Sequence, residues 1–203
     1  MNPFSGAFFD LLAAQGYAVH DNFLSEQDCR AWSQWLEDQN HNLQPAQTGF
    51  GPQKQLTPNI RGDSILWLRT GESNTSIPQQ ANEKLEGLRR QLNLEMRMGL
   101  KWVEAHFAEY PIGARYHRHL DQAPGRGHRQ LTFVLYLNPD WLESDGGELE
   151  IYEGSKSLCR ILPLGGRLVL FQSARFPHEV RPGKNPRKSL TGWFRDDDPV
   201  VGR

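Results

Sequence analysis

Seven histidines occur in the 203 residues, and two of them carry a spacing that a metal ion could use. The run Tyr116-His-Arg-His119-Leu-Asp121 sets an imidazole and a carboxylate two residues apart. Side chains alternate across an extended strand, so His119 and Asp121 point to one face and Leu120 to the other. Two ligands from one strand fill two coordination positions. Pro177-His178-Glu179, at the start of a later strand candidate, can supply a third. Two imidazoles and one carboxylate on one side of a metal leave three positions open, the arrangement associated with Fe(II) oxygenases. Such a site can take a bidentate cosubstrate and O2 together. A His-x-Asp pair alone is weak evidence, because a surface hydrogen bond or a solvated turn explains it more simply.

Nine residues beyond His178, Arg187 leads the segment Arg187-Lys-Ser-Leu-Thr191-Gly-Trp193-Phe. Period-two alternation puts Arg187, Ser189, Thr191 and Trp193 on one face. If that face looks inward, it offers a cation, a hydroxyl and an aromatic wall. A buried guanidinium needs a carboxylate partner, and the distal carboxylate of 2-oxoglutarate would be one. An exposed, charged strand end is the competing reading, since Arg181, Lys184 and Asn185 precede it.

The elements that must position these residues follow from periodicity. Phe4, Phe8, Leu11 and Leu12 recur at helical spacing from Pro3 to Gln15, and Gly16 closes the segment. Tyr17 to His20 is a short strand. Ser25 and Asp28 cap a second helix with Cys29, Trp32 and Leu36 on one side. Ser76 to Leu94 forms a third, with Pro78 near its start and a stripe of Ala81, Leu85, Leu88 and Leu92. Residues 39–59, rich in Gln, Asn, Gly and Pro, read as a mobile loop, either functional or an idle surface excursion. From residue 100 the period becomes that of strands: 100–110, 114–120, 130–137, 147–153, 158–162, 167–172, 177–181 and 188–194. Asn138-Pro139-Asp140, Asp145-Gly146-Gly147 and Gly165-Gly166 punctuate them. Helices followed by eight short strands predict an α+β fold: a jelly-roll core over 100–194 with helical support in 1–99.

The chain is long enough for one domain, 1–203, with a sizeable core. A net charge of -1 offers no basic excess for nucleic acid or an anionic membrane. Cys29 and Cys159 lack pairing spacing, which predicts free thiols in a reducing compartment. No apolar run suits a membrane span, and Asp10 interrupts the first apolar stretch, so the expected location is cytoplasmic.

From Ile60 to Phe194 the chain resembles the prolyl hydroxylase domain family, the Fe(II)/2-oxoglutarate oxygenases that in animals hydroxylate hypoxia-inducible factor and that have bacterial relatives. The resemblance rests on Ile60-Arg-Gly-Asp63 with Trp67, Tyr110-Pro-x-Gly113, Tyr116-x-Arg-His119-x-Asp121 and Tyr136-Leu-Asn-x-Asp-Trp141. It continues in Gly146-Gly-x-Leu149, Pro177-His-Glu-Val180-x-Pro182 and Arg187 through Trp193. It implies a double-stranded β-helix whose iron is bound by His119, Asp121 and His178. Arg187 and Tyr136 would hold the C5 carboxylate of 2-oxoglutarate, with Tyr110 and Thr191 nearby. Without the family, the two tyrosines read as core aromatics with a polar tip. Arg129, Trp193, Tyr116 and Arg61 would meet substrate, although Arg61 and Asp63 in isolation read as an exposed ion pair. O2 completes the cofactor set, with ascorbate as a reductant.

The implied reaction is 4-hydroxylation of a prolyl residue with release of succinate and CO2. The implied partner is a monomeric enzyme's protein substrate; for a bacterial member, the family suggests elongation factor Tu. Oxygenation of another side chain or a small molecule is the alternative, followed by a jelly-roll sensor that binds metal or 2-oxoglutarate without turnover. The turn between Asp121 and Tyr136, with Gly125-Arg-Gly-His128, is one residue longer than in the animal enzymes. That departure and the distinct loop before Ile60 bear on substrate identity.

Overall fold

A computed structural model describes residues 6–49, 55–68, 76–122 and 127–198. Pro3 and Phe4, residues 50–54 of the expected loop, and Gly125 and Arg126 of the long turn lie outside the described residues. In chain order the elements are α1 (Gly6–Gln15), β1 (Tyr17–His20), α2 (Glu26–Asp38), β2 (Gln44–Pro45), β3 (Ser64–Trp67) and α3 (Ile77–Met96). Eight strands follow: β4 (Trp102–Tyr110), β5 (Tyr116–His119), β6 (Arg129–Tyr136), β7 (Leu149–Glu153), β8 (Lys156–Ile161), β9 (Leu168–Gln172), β10 (His178–Val180) and β11 (Arg187–Arg195).

Local chemistry accounts for the helices. The Ser25 hydroxyl accepts from the Asp28 N–H at 3.1 Å and starts α2, whose Cys29, Trp32 and Leu36 are buried. Ser76 caps α3, and Ala81, Leu85, Leu88 and Leu92 form its buried stripe. In α1 the buried set is Phe8, Phe9 and Leu12, while Leu11 is 49% exposed, which corrects the stripe expected there. Phe8, Leu12 and Phe9 fall within about 100° of one another around the helix, so the buried stripe is turned toward Phe9 and away from Leu11.

The strands form two sheets. One has seven strands in the order β1-β9-β6-β11-β4-β3-β2, and the other has four in the order β5-β10-β7-β8. The large sheet has two unlike faces. Leu131, Phe133 and Leu135 of β6, Leu168 and Leu170 of β9, and Leu190 and Phe194 of β11 join the three helices in one core. The alternate residues Val134, Tyr136, Val169 and Phe171 pack inward against Leu149, Ile151 and Ile161 of the small sheet. This is the double-stranded β-helix, with the helices as a buttress on its outer face. Lys188, on the buttressed face of β11, reaches Ser33 and Glu37 of α2.

Strands β2 and β3 were not expected. Residues 39–49 are more ordered than a bare loop: Asn40–Asn42 make a 3-10 turn, β2 pairs with β3, and the Ala46 N–H donates to the Asp63 carbonyl at 2.9 Å. A two-residue edge strand containing Pro45 has too little periodicity to stand out in a sequence. β3 adds to β4 in the register Ile65↔Ala108 and Trp67↔His106. Among the described residues, no helix is long and apolar enough to cross a membrane.

Candidate active site

Pairing across the small sheet sets His119 of β5 directly opposite His178 of β10. β5 ends at His119, so Asp121 lies beyond the strand in a bend rather than on it. Its side chain nevertheless turns to the same side, because the Thr132 hydroxyl of β6 donates to Asp121 Oδ2 at 2.7 Å. Asp121 Oδ1 lies 3.5 Å from His119 Nε2, and Oδ2 lies 3.5 Å from His178 Nε2. One ligand atom from each of the three residues falls within 4.8 Å of the others. Cis ligands on bonds of about 2.1 Å sit about 3 Å apart, so a small inward shift would close this set on one ion.

The rings are held for that task. His119 Nδ1 contacts the His117 carbonyl at 2.8 Å, and His178 Nδ1 contacts the Phe176 carbonyl at 3.0 Å. A carbonyl can only accept, so each Nδ1 carries the proton and each Nε2 keeps its lone pair for the cluster. Tyr116 stacks on His119 with centroids 3.6 Å apart, and Phe171 flanks His178 at 4.7 Å. Burial lowers the His178 imidazole to about 4, which keeps it neutral at pH 7. Burial alone would raise the Asp121 carboxyl, but His178, His119 and Thr132 outweigh it and hold the group well below the usual carboxylate range.

Thr132 was not among the expected site residues, and neither was Ser173, whose hydroxyl lies 2.9 Å from that of Thr132. The sequence signal for Thr132 was its parity with Tyr136 along β6; Ser173 had none. Removing a partner of a metal ligand commonly lowers metal affinity about 10- to 100-fold. Thr132→Val should therefore weaken Fe(II) binding by about that factor with the fold intact, as read by competition with a chelating dye.

Registers carry the remaining residues onto the inner face of the large sheet. β11 pairs with β4 as Arg187↔Tyr110, Thr191↔His106 and Trp193↔Glu104, and with β6 as Ser189↔Tyr136, Thr191↔Val134 and Trp193↔Thr132. Arg187 is 3% exposed, and among the described residues no carboxylate pairs with it. Its guanidinium lies 5.1 Å from the Tyr110 ring and 4.9 Å from the Tyr136 ring. Arg187 Nε and the Tyr136 hydroxyl are buried without a hydrogen-bond partner. Burial raises both tyrosine hydroxyls, so each remains a donor at neutral pH. Thr191 also faces inward, but its hydroxyl donates to the Phe133 carbonyl at 2.8 Å.

At the other end, Arg129 lies 3.4 Å from the centroid of the Trp193 ring and donates to the Asp121 carbonyl at 3.3 Å. It also meets Glu104 at 3.3 Å. Arg61 and Asp63 form a two-pronged pair at 2.7 and 2.8 Å, with Asp63 fully buried and Arg61 lying over Tyr116. The exposed pair expected from sequence in isolation is thereby corrected, because β3 and β5 cover it. The exposed charged strand end considered for Arg187 is corrected too.

His106 was missed. It is 1% exposed, packed between Trp67 and Trp193, and neither ring nitrogen has a partner. Burial, reinforced by Arg61, lowers it to about 3. The unfolded chain, with an ordinary value of 6.5, then binds more protons than the folded one between about 3 and 6.5. Stability from His106 is present above pH 6.5 and falls as pH drops through that window. Between pH 7 and 5 it should fall by about 2 kcal/mol, and His106→Gln should flatten that dependence in urea titrations of the metal-free protein.

A second cluster, His128 with Asp196 and Asp197, sits on the surface. Its carboxylates are already engaged by Gln130 and Arg195. The fit to a metal and an organic dianion is found at the buried site: a two-imidazole, one-carboxylate set, and two orphaned donors deeper along the same interior.

Comparison with known proteins agrees with this geometry. Residues 105–195 match the family model described as the 2OG-Fe(II) oxygenase superfamily. A crystal structure of a Pseudomonas putida prolyl-4-hydroxylase is 35% identical, covers 95% of this chain and 99% of its own, and superposes with a TM-score of 0.83. A Trichoplax adhaerens prolyl hydroxylase, solved with a hypoxia-inducible factor peptide fragment, is 29% identical over 93% of this chain and 87% of its own, with a TM-score of 0.76. Among curated proteins, the prolyl 3-hydroxylase OGFOD1 of Xenopus laevis is 31% identical over 104 residues, 46% of this chain. The matched stretch is 20% of that relative's length, and 18% of the related Ostreococcus tauri protein. The chain belongs to the prolyl hydroxylase family of 2OG-Fe(II) oxygenases, whose cofactors are Fe(II), 2-oxoglutarate and O2.

Proposed function

We propose that this chain hydroxylates a prolyl residue of a protein substrate, consuming 2-oxoglutarate and O2 and forming succinate and CO2. The observation that carries the reading is the buried Arg187–Tyr136 pair of orphaned donors, on the same interior as the His119–Asp121–His178 cluster. A dicarboxylate spanning the two would relieve an unpaired buried cation and complete a metal's coordination at once. Fe(II), bound with 2-oxoglutarate and O2, supplies the oxidising power.

The chain's own residues do the rest. His119 and His178 offer their Nε2 lone pairs, and Asp121 offers an ionised oxygen oriented by Thr132. Arg187 and Tyr136 bind and orient the C5 carboxylate, with Tyr110 opposite Arg187 and Thr191 further along β11 toward the metal end of the cosubstrate. Phe171 and Val134 exclude water from the interior. At the mouth, Trp193, Arg129, Tyr116 and Arg61 offer aromatic and cationic surfaces, which suits a prolyl ring flanked by peptide carbonyls. The peptide named with the Trichoplax relative and the prolyl activities named for the curated relatives support a peptide substrate. One copy of the chain carries every residue of this site, consistent with a working monomer.

The test is incubation of the Fe(II)-loaded protein with 2-oxoglutarate, ascorbate and candidate proteins, elongation factor Tu first. Mass spectrometry should find a gain of one oxygen atom on a proline, matched by succinate. Succinate formation stimulated by a small molecule, with every prolyl peptide inert, would overturn the protein-substrate reading.

A further inference from the structure

Two inward levels of the large sheet, those of Ser189 and Thr191, lie between Arg187 and Trp193 along β11, and at the second the hydrogen-bonding groups of the sheet can be counted. Along β11, Arg187 marks the distal end and Trp193, opposite Thr132, marks the metal end. A molecule spanning the two passes the level of Thr191, which pairs with His106 on β4 and Val134 on β6. Adjacent levels are about 6.6 Å apart on one strand face, so this level adjoins the metal end. Val134 has no polar side-chain atom. The Thr191 hydroxyl hydrogen is used by the Phe133 carbonyl at 2.8 Å. Among the large-sheet residues His106 therefore supplies the donor at this level; both of its nitrogens are buried without a partner, as is Trp193 Nε1 at the next level toward the metal. Its ring is clamped by Trp67 and Trp193, with centroids 4.9 and 5.8 Å away, so it cannot swing out to water.

We propose that His106 donates a hydrogen bond to the metal-end carboxylate of 2-oxoglutarate and orients the chelating half of the cosubstrate. This rests on the reading of the buried site as a 2-oxoglutarate site. The division of labour is physical: Arg187 recognises charge at the far end, and His106 sets rotation about the axis between the two ends. Burial and the Arg61 charge keep the imidazole neutral, so one nitrogen carries a hydrogen and no second cation competes with the metal.

The test is calorimetric binding to the Mn(II)-loaded protein without turnover, using 2-oxoglutarate and oxalate, a chelator that lacks the distal arm. A hydrogen bond to a charged acceptor is worth about 10- to 100-fold in affinity. His106→Leu and His106→Met should weaken both ligands by about that factor, while His106→Gln, which keeps a donor, recovers most of it. Arg187→Met should weaken 2-oxoglutarate and leave oxalate unchanged. Unchanged oxalate binding in both apolar His106 variants would overturn the assignment, and so would a Gln variant no better than Leu. Failure of the wild-type Mn(II) protein to bind 2-oxoglutarate while binding oxalate would instead overturn the cosubstrate reading on which the assignment stands.

Discussion

Arg187→Met should make the ligand-free protein more stable while nearly abolishing its response to 2-oxoglutarate. These opposite signs come from one feature. Arg187 is a buried cation with no carboxylate partner among the described residues, and its Nε has no hydrogen bond. Two aromatic rings near 5 Å partly compensate the guanidinium, but they do not neutralise it. Replacing a buried, incompletely satisfied charge by an apolar side chain of similar length stabilises by about 1–4 kcal/mol. Binding moves the other way. Deleting the cation from a two-pronged guanidinium–carboxylate pair in a dry interior costs about 3–5 kcal/mol, or roughly 10²- to 10⁴-fold in affinity. At a concentration 100 times the wild-type Kd, 2-oxoglutarate stabilises the wild type by about 2.7 kcal/mol. A variant weakened about 100-fold retains about 0.4 kcal/mol of that at the same concentration. Thermal denaturation with and without the ligand reads both signs. A variant that loses stability without ligand would mean that the protein already satisfies Arg187.

Asp121→Ala should lower 2-oxoglutarate turnover by about 10³-fold or more, the scale on which losing a member of a concerted catalytic set acts. Asp121 is the only anion of the cluster and faces both imidazoles at 3.5 Å. Without it, the two neutral nitrogens hold a divalent ion with no charge compensation. Fe(II) affinity should fall together with activity, and the variant should still fold, because Thr132 keeps the Ser173 hydroxyl as a partner. Succinate assays at saturating Fe(II), paired with metal titration, separate the two effects. Retention of full turnover would remove Asp121 from the ligand set.

Much of the fold was legible because it depends on periods that a sequence displays. The eight expected strands from residue 100 onward, the Ser25 and Ser76 caps and the Cys29, Trp32 and Leu36 face all appear in the structure. Alternation along β11 assigned Arg187 and Trp193 to one face, and the registers with β4 and β6 turn that face inward. Short-range rules suffice for such features, since caps, stripes and alternation are set by neighbours a few residues apart.

What only the tertiary structure decided are relations between distant segments. His119 and His178 meet because β5 and β10 pair, and no local period encodes that register. Asp121 faces the cluster although it lies past the end of its strand; the hydroxyl of Thr132, eleven residues on, turns it there. Strand alternation reached the right face for Asp121 by an argument that its backbone does not follow. Arg61 and Asp63 are close in sequence and look like surface residues until β3 and β5 bury them. His106 has nothing beside it in the chain to mark it. Its unpartnered nitrogens become visible only when β3, β4 and β11 close the space around it. The chemical types of the site are thus written in the chain, while burial and orientation, which enclose Arg187 without a carboxylate partner among the described residues and turn Asp121 toward two imidazoles, arise from long-range packing.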